Sequence, residues 1–316
     1  MRASLPCARM TALSKGSISL RLYAHSELDA VGVVEEMRTQ AALAIEHGFD
    51  GVMTSEHHGG FAGYIPNPLQ QAGFVLDAMP RGWAAACPVL ATLRPAALIA
   101  EETAWLAARF PGRVGLGLAA GALVDDFNVM DLDMSNLTPR FEQSLERITR
   151  ALSGDADSIL ARDPAVQRCG NDPVPVVSAA ASLTAARRAA RLGAGTLIDS
   201  LTTLDRAREL IGAYRASSGS KPCILIRRAW VGEAPRIEFD QQVDVYRSYA
   251  PGAAQANWGA DELANDQPAE RLAAALEATG ADALNIRVHV PGIAASAVRD
   301  QIARLGAEVL PRLRGR

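Results

Sequence analysis

Short apolar runs alternate with longer Ala-, Leu- and Arg-rich amphipathic stretches along nearly the whole chain. No other feature limits the fold as much, because period-2 runs between period-3.6 stretches predict strands joined by helices. The runs at 18–23, 51–54, 83–87, 114–119, 174–178, 196–199, 223–231 and 283–290 read as strands. The stretches at 29–47, 68–79, 94–109, 139–152, 182–192, 203–216, 269–279 and 294–305 read as helices. Eight strand–helix units in about 290 residues match a (β/α)8 TIM barrel, the fold class expected here. A doubly wound open sheet competes with it, but no linker or composition shift marks a second domain. Residues 1–16 read as a loosely ordered leader and 17–316 as a single barrel domain. Two insertions, 153–173 and 232–265, are surface excursions or lids.

Bulk properties exclude several classes. A net charge of −3 gives no reason to expect nucleic acid or an anionic membrane as partner. No apolar run is long enough to span a bilayer, and no apolar core follows Arg2 and Arg9 as a secretory signal requires. Cys7, Cys87, Cys169 and Cys223 are scattered, without CxxC or CxH spacing. That argues against a zinc knuckle or a disulfide scaffold and fits a reducing cytoplasm.

The chemistry concentrates at Asp50–His58, where a short apolar strand ends in Glu56, His57 and His58 before a Gly-rich loop. Two of the five histidines sit together there. Strand parity suggests what else faces the lumen. In 283–290, Leu284, Ile286 and Val288 share one parity, and Asn285, Arg287 and His289 share the other. In 18–23, Ile18, Leu20 and Leu22 alternate with Ser19, Arg21 and Tyr23. The first and last strands are barrel neighbours, so one side of the lumen is expected to be polar and to carry two guanidinium groups. The opposite wall is small: Ala84, Ala85 and Ala86 in the third strand, Gly115, Gly117 and Ala119 in the fourth, with Gly121 beyond. Such residues leave room for a flat ligand, or they simply let helices pack closely.

The fifth strand runs through Ser178, Ala179, Ala180, Ala181 and Ser182 into a helix. Its small residues and helix start could hold a phosphate, and Ser182 could equally be a plain N-cap. Gly115, Gly117 and Gly121 have GxGxxxG spacing, followed by acidic Asp125 and Asp126, which does not suit a dinucleotide fingerprint.

Glu46-His47-Gly48-Phe49-Asp50-Gly51 followed by Ser55-Glu56-His57-His58, then Pro66-Asn67-Pro68-Leu69, resembles the bacterial luciferase-like flavin monooxygenase family. Ala100-Glu101-Glu102, Pro111–Leu118 and Pro173–Gly195 are similar to its later blocks. Phe110-Pro111-Gly112-Arg113 departs from the commoner Ser-x-Gly-Arg form, and the turn after the fifth strand has Ala where Gly is frequent. The resemblance implies a TIM barrel with flavin at the C-terminal strand ends, reduced FMN and O2 as reactants, and a small organic substrate. It also implies a homodimer packed through helices near the second and third strands, and a separate flavin reductase. Some members carry a non-proline cis peptide in the third strand, which here would fall among Ala84–Cys87.

On that reading His57 is the catalytic acid or base and Glu56 sets its tautomer. Ala86, Gly117, Ala119, Gly121, Ser178, Ala180, Ala181 and Ser182 contact the cofactor. Arg21, Arg287, His58 and His289 line the substrate pocket, with one arginine serving a structural ion pair to Asp199 or Glu101. A deazaflavin coenzyme is the alternative cofactor, supporting hydride transfer rather than oxygenation. Two further alternatives remain: a barrel metallohydrolase using His25, His57, His58 and His289, and a flavin-binding but catalytically silent subunit.

Overall fold

Each strand pairs in parallel with its neighbour in sequence, and the eighth pairs with the first, so the sheet closes into a ring. The computed structural model describes residues 11–157, 159–249, 258 and 265–315. Its strands are β1 (Ile18–Arg21), β2 (Gly51–Thr54), β3 (Trp83–Leu90), β4 (Val114–Ala119), β5 (Val176–Ala179), β6 (Gly195–Ile198), β7 (Cys223–Arg228) and β8 (Ala283–Arg287). The expected (β/α)8 barrel is the fold. Helices α1 (Ala30–Glu46), α2 (Pro68–Ala78) and α3 (Ala96–Arg109) follow the first three strands. A short α4 (Val124–Asn128) precedes α5 (Leu137–Leu152), and α6 (Pro164–Arg168) lies in the first insertion. Then come α7 (Leu183–Arg191), α8 (Leu204–Ala216), α9 (Arg236–Tyr249) in the second insertion, α10 (Pro268–Thr279), α11 (Ala295–Arg304) and α12 (Leu310–Arg314).

Helix starts follow local chemistry. Asp29, Asn67, Ser182 and Thr203 each accept a hydrogen bond from a backbone N–H of the first turn, and Pro68 opens α2. Strand ends are less faithful to the apolar pattern. β7 and β8 stop at Arg228 and Arg287, yet Trp230, Val231, Val288 and Val290 beyond them are buried in the outer core. Burial without pairing extends the apolar run past the ladder. β3 instead continues to Leu90, because its register with β4 shifts between Ala86 and Val89 and Pro88 falls in that bulge. The Cys87–Pro88 peptide is cis, and no non-proline cis bond occurs among the described residues. The cis peptide expected among Ala84–Cys87 is therefore corrected to the X–Pro bond at their end.

Strand parity sorts the core into two layers. Ile18, Leu20, Val52, Ala84, Ala86, Leu116, Leu284 and Ile286 join the layer under the helices. Met53, Trp83, Ala85, Cys87, Val177, Leu197, Ile224, Ile226 and Ala283 fill the lumen together with Ala12 and Leu13. This revises two expectations. Residues 11–16, assigned to a loose leader, contribute Leu13, which is 1% exposed and sits against the inward face of Gly115. The room left by Gly115 and Gly117 is likewise filled: a Cβ on Gly115 would meet Leu13 at 2.8 Å, and one on Gly117 would meet Cys87 Sγ at 2.2 Å. Small residues here permit close packing, and open space begins only above them. Ala86 points into the helix layer, away from the lumen.

The first insertion packs on the outside of α3, where Asp163 accepts from Trp105 Nε1 at 3.0 Å and Arg168 donates to Ala107 O at 3.3 Å. It is no lid. Part of the second insertion, 250–257 and 259–264, lies outside the described residues. Leu13→Ala should open a cavity in the lumen floor and cost about 2–5 kcal/mol of unfolding free energy, read from urea titration. A loss below about 1 kcal/mol would mean that residues 11–16 do not plug the barrel in solution.

Candidate active site at the C-terminal mouth of the barrel

Above that floor, a cavity of about 390 Å³ opens at the C-terminal ends of the strands. Pro88 and Leu90 of β3, Ala119–Ala122 from the end of β4 onward and Ala179–Ala181 from the end of β5 onward form one wall. Arg21, Tyr23 and Arg287 form the other, with Glu56, His57 and Tyr64 from the loop after β2. Leu197, Asp199 and Ile226 come from β6, the loop after it and β7. Tyr246, Tyr249 and Trp258, from the described part of the second insertion, roof the cavity.

The two adjacent imidazoles diverge. His57 Nδ1 lies 2.7 Å from Asp126 Oδ2, and His58 Nε2 lies 2.8 Å from Glu56 Oε1. A carboxylate accepts only, so the hydrogen on His57 is assigned to Nδ1, which leaves Nε2 as the free nitrogen on a cavity-lining ring. The Asp126 carboxylate is fully buried, and its Oδ1 also accepts from His58 N at 2.7 Å. One side chain of α4 thus fixes both the loop backbone and the His57 ring. Phe61 and Tyr64 flank that ring at 4.7 and 4.4 Å between centroids.

Glu56 does not set the tautomer of His57, contrary to expectation. Its Oε1 holds His58 and its Oε2 accepts from Leu90 N at 2.7 Å, tying the loop to β3. Glu56 lines the cavity, while His58 is buried behind it. The orienting residue missed from sequence is Asp126. Its signal in the sequence is the Asp125–Asp126 pair, which by itself argues only against a dinucleotide loop.

The other expected contacts divide by parity. Ala119, Gly121, Ala180 and Ala181 line the cavity; Gly117, Ala86, Ser178 and Ser182 do not. Gly117 lies under the floor against Cys87, and Ser178 has the parity of outward Val176. Ser182 Oγ is committed to the α7 cap, accepting from Ala185 N at 3.1 Å. Arg21 and Arg287 both line the cavity, and neither pairs with Asp199, Glu101 or any other carboxylate among the described residues. Asp199 instead accepts from Leu201 N, Thr202 N and Thr202 Oγ1.

His289 turns away from the cavity and packs on His25, 4.1 Å between ring centroids. Neither of its ring nitrogens has a hydrogen-bond partner. Burial, reinforced by His25 and Arg287, pushes its pKa well below the ordinary histidine value, so it stays neutral. His25 reaches Glu27 and Gln40 instead. The four imidazoles therefore do not converge, and no group of three or more His, Cys, Asp or Glu side chains suited to a metal ion exists among the described residues. Nor is any described helix long and apolar enough to cross a membrane.

The profile of the luciferase-like monooxygenase family matches residues 17–304. The chain belongs to this family. Membership sets it among the flavin- and deazaflavin-dependent oxidoreductases. The F420-dependent glucose-6-phosphate dehydrogenase of Beutenbergia cavernae is 27% identical to it over 267 residues, 76% of each chain. The monooxygenase RslO1 of Streptomyces bottropensis superposes with a TM-score of 0.73 at 19% identity, covering 93% of this chain and 99% of its own. The oxygenating constituent of 3,6-diketocamphane monooxygenase from Pseudomonas putida, a type II Baeyer–Villiger enzyme solved with FMN, gives 0.75 at 16% identity, covering 94% and 98%. At these identities the two solved structures speak to the luciferase-like barrel.

His289 generates a pH effect with a definite sign. It is neutral in the folded chain and titrates near 6.5 when unfolded, so the unfolded state binds more protons below that pH. Stability present above about pH 6.5 should fall as pH drops, by up to about 1.4 kcal/mol per unit relative to His289→Leu. Parallel urea midpoints for the two proteins between pH 7 and pH 5 would contradict this.

Proposed function

We propose that this family member is a flavin-dependent oxidoreductase acting on a small organic substrate, and that it is a monooxygenase using reduced FMN and O2. The observation that carries the reading is His57, tethered through Nδ1 to a buried carboxylate and free at Nε2 on the cavity wall. The cavity suits a flat ring, because Ala119–Ala122 and Ala179–Ala181 bring backbone rather than bulky side chains to one wall. These residues and Pro88 would hold the flavin ring, which supplies electrons to O2 as reduced FMN, or a hydride as a deazaflavin.

The protein's own groups do the rest. His57 Nε2 gives or takes a proton at the substrate, and Asp126 keeps its tautomer and stabilises the imidazolium that results. Tyr64, Tyr246 and Tyr249 close the roof and limit water. Burial raises the pKa of all three phenols, so they remain neutral donors. Glu56 holds the loop to β3 rather than sharing the proton.

A second reading, hydride transfer with the deazaflavin F420, is favoured by the similarity to the Beutenbergia dehydrogenase. The homodimer, the separate reductase and the cytoplasmic location belong to the same proposal. Exposed Phe74 on α2 and Leu98 and Trp105 on α3 suit such an interface, and buried free Cys87, Cys169 and Cys223 suit a reducing compartment.

Titration of apoprotein with FMN and with F420, followed by fluorescence, tests the cofactor. FMN should bind at least about tenfold more tightly, about 1.4 kcal/mol. The reverse order moves the protein to hydride transfer, and saturation with neither removes the flavin reading. His57→Ala should cut turnover by about a hundredfold or more with cofactor affinity nearly unchanged. Asp126→Asn should lower turnover in the same direction by at least about tenfold. Unchanged turnover in His57→Ala would take the imidazole out of the mechanism.

A further inference from the structure

Arg21 and Arg287 face each other in the register of β1 and β8, and both are nine-tenths buried or more. Their donors are used very differently. Arg21 Nε donates to Asn285 Oδ1 at 2.7 Å, its Nη1 to Ser55 Oγ and to Cys87 O at 2.9 Å, and its Nη2 lies 3.8 Å from Met53 Sδ. Arg287 donates through Nε to His289 O at 3.1 Å and shares a side-chain hydrogen bond with Tyr246, but its Nη2 has no acceptor. Its guanidinium lies over the Tyr23 ring at 4.2 Å and near the Tyr246 ring at 5.5 Å. The ring contacts hold the group in place and leave Nη2 unspent.

No carboxylate among the described residues neutralises either charge. Glu56 is held by His58 and Leu90 N, and Asp199 by its own loop. A buried cation with an open donor and no counter-charge is costly unless an anion arrives. A planar guanidinium edge matches a carboxylate, which takes two parallel hydrogen bonds from it. A phosphate could take the same two bonds, but its second charge would lack a cation, because Arg21 is already spent on Asn285, Ser55 and Cys87 O. Leu90, Leu197, Ile226 and Tyr249 line the same cavity and give it apolar surface for the rest of such a ligand.

We infer that Arg287 docks the carboxylate of the substrate, so that the molecule taken by this cavity is a monocarboxylate with an apolar body. Arg21 is a positioning residue that holds β1, β8 and the loop after β2 together. Calling the ligand a substrate rests on the catalytic reading of this cavity; the carboxylate contact itself does not.

Calorimetric titration of the protein without flavin, using benzoate, benzamide and inorganic phosphate, tests it. Benzoate should saturate and bind at least about tenfold more tightly than its neutral isostere benzamide. Arg287→Met should lose that preference, and Arg287→Lys, a charge without the fork, should keep part of it. Equal binding of benzoate and benzamide, no benzoate binding, or tighter binding of phosphate would each overturn the proposal. So would an Arg287→Met protein with native circular dichroism that still prefers benzoate. Should that variant misfold, the wild-type comparison of benzoate with benzamide still decides. Loss of reduced-FMN affinity in Arg287→Met with benzoate binding intact would reassign the guanidinium to the cofactor. Failure of the flavin reading appears separately, as absence of FMN and F420 binding whatever benzoate does.

Discussion

Closing eight parallel strands into a ring gives every strand residue one of two fates: under the helices or inside the lumen. All else in this molecule answers to that choice. The outer fate needs apolar surface, and Leu20, Ala86, Leu116 and Ile286 meet it. The inner one must fill space at the bottom and leave it at the top. Trp83, Cys87 and Leu13 fill the lower lumen, and Arg21 and Arg287 bring charge to the level where space begins.

The architecture was legible in the sequence because its signals are local and repeated. Alternation in 18–23 and 283–290 assigned Arg21 and Arg287 to the lumen correctly, since parity survives errors of a residue or two in strand length. It failed for His289, which lies past the end of the β8 ladder and packs on His25 rather than lining the cavity. Parity also says nothing about height along the barrel. Gly117 and Ala119 point the same way, but Gly117 faces Cys87 below the floor and Ala119 faces the cavity.

The site itself was half legible. Glu56, His57 and His58 were conspicuous as a cluster, but the partner of His57 was not, because that partnership joins two loops at the barrel mouth. Asp126 is 69 positions from His57 and sits on a helix of five residues, too short to show a period. Glu56 looked like the natural companion of His57 because it is adjacent. Adjacent residues leaving a strand point to opposite sides, so the carboxylate meets the second imidazole. The tyrosine roof was missed for a related reason. Phe239, Gln242, Val243 and Tyr246 form the buried stripe of α9, and a glutamine breaks its apolar signature.

Near the end of α9 the roof meets the loop after β2 through a polar clasp, Tyr64 Oη to Tyr246 Oη at 2.7 Å, set among ring contacts of Phe61 with Tyr64 and Tyr249, while Arg228 donates to Phe239 O near its start. Parting the clasp would expose two hydroxyls that water can satisfy at once, so the latch weighs little against lifting. The aromatic faces around it lose apolar contact in the same motion and favour return. A helix seated this way makes a self-shutting door: a visitor with a greasy body can hold it ajar, and solvent alone gains little by doing so.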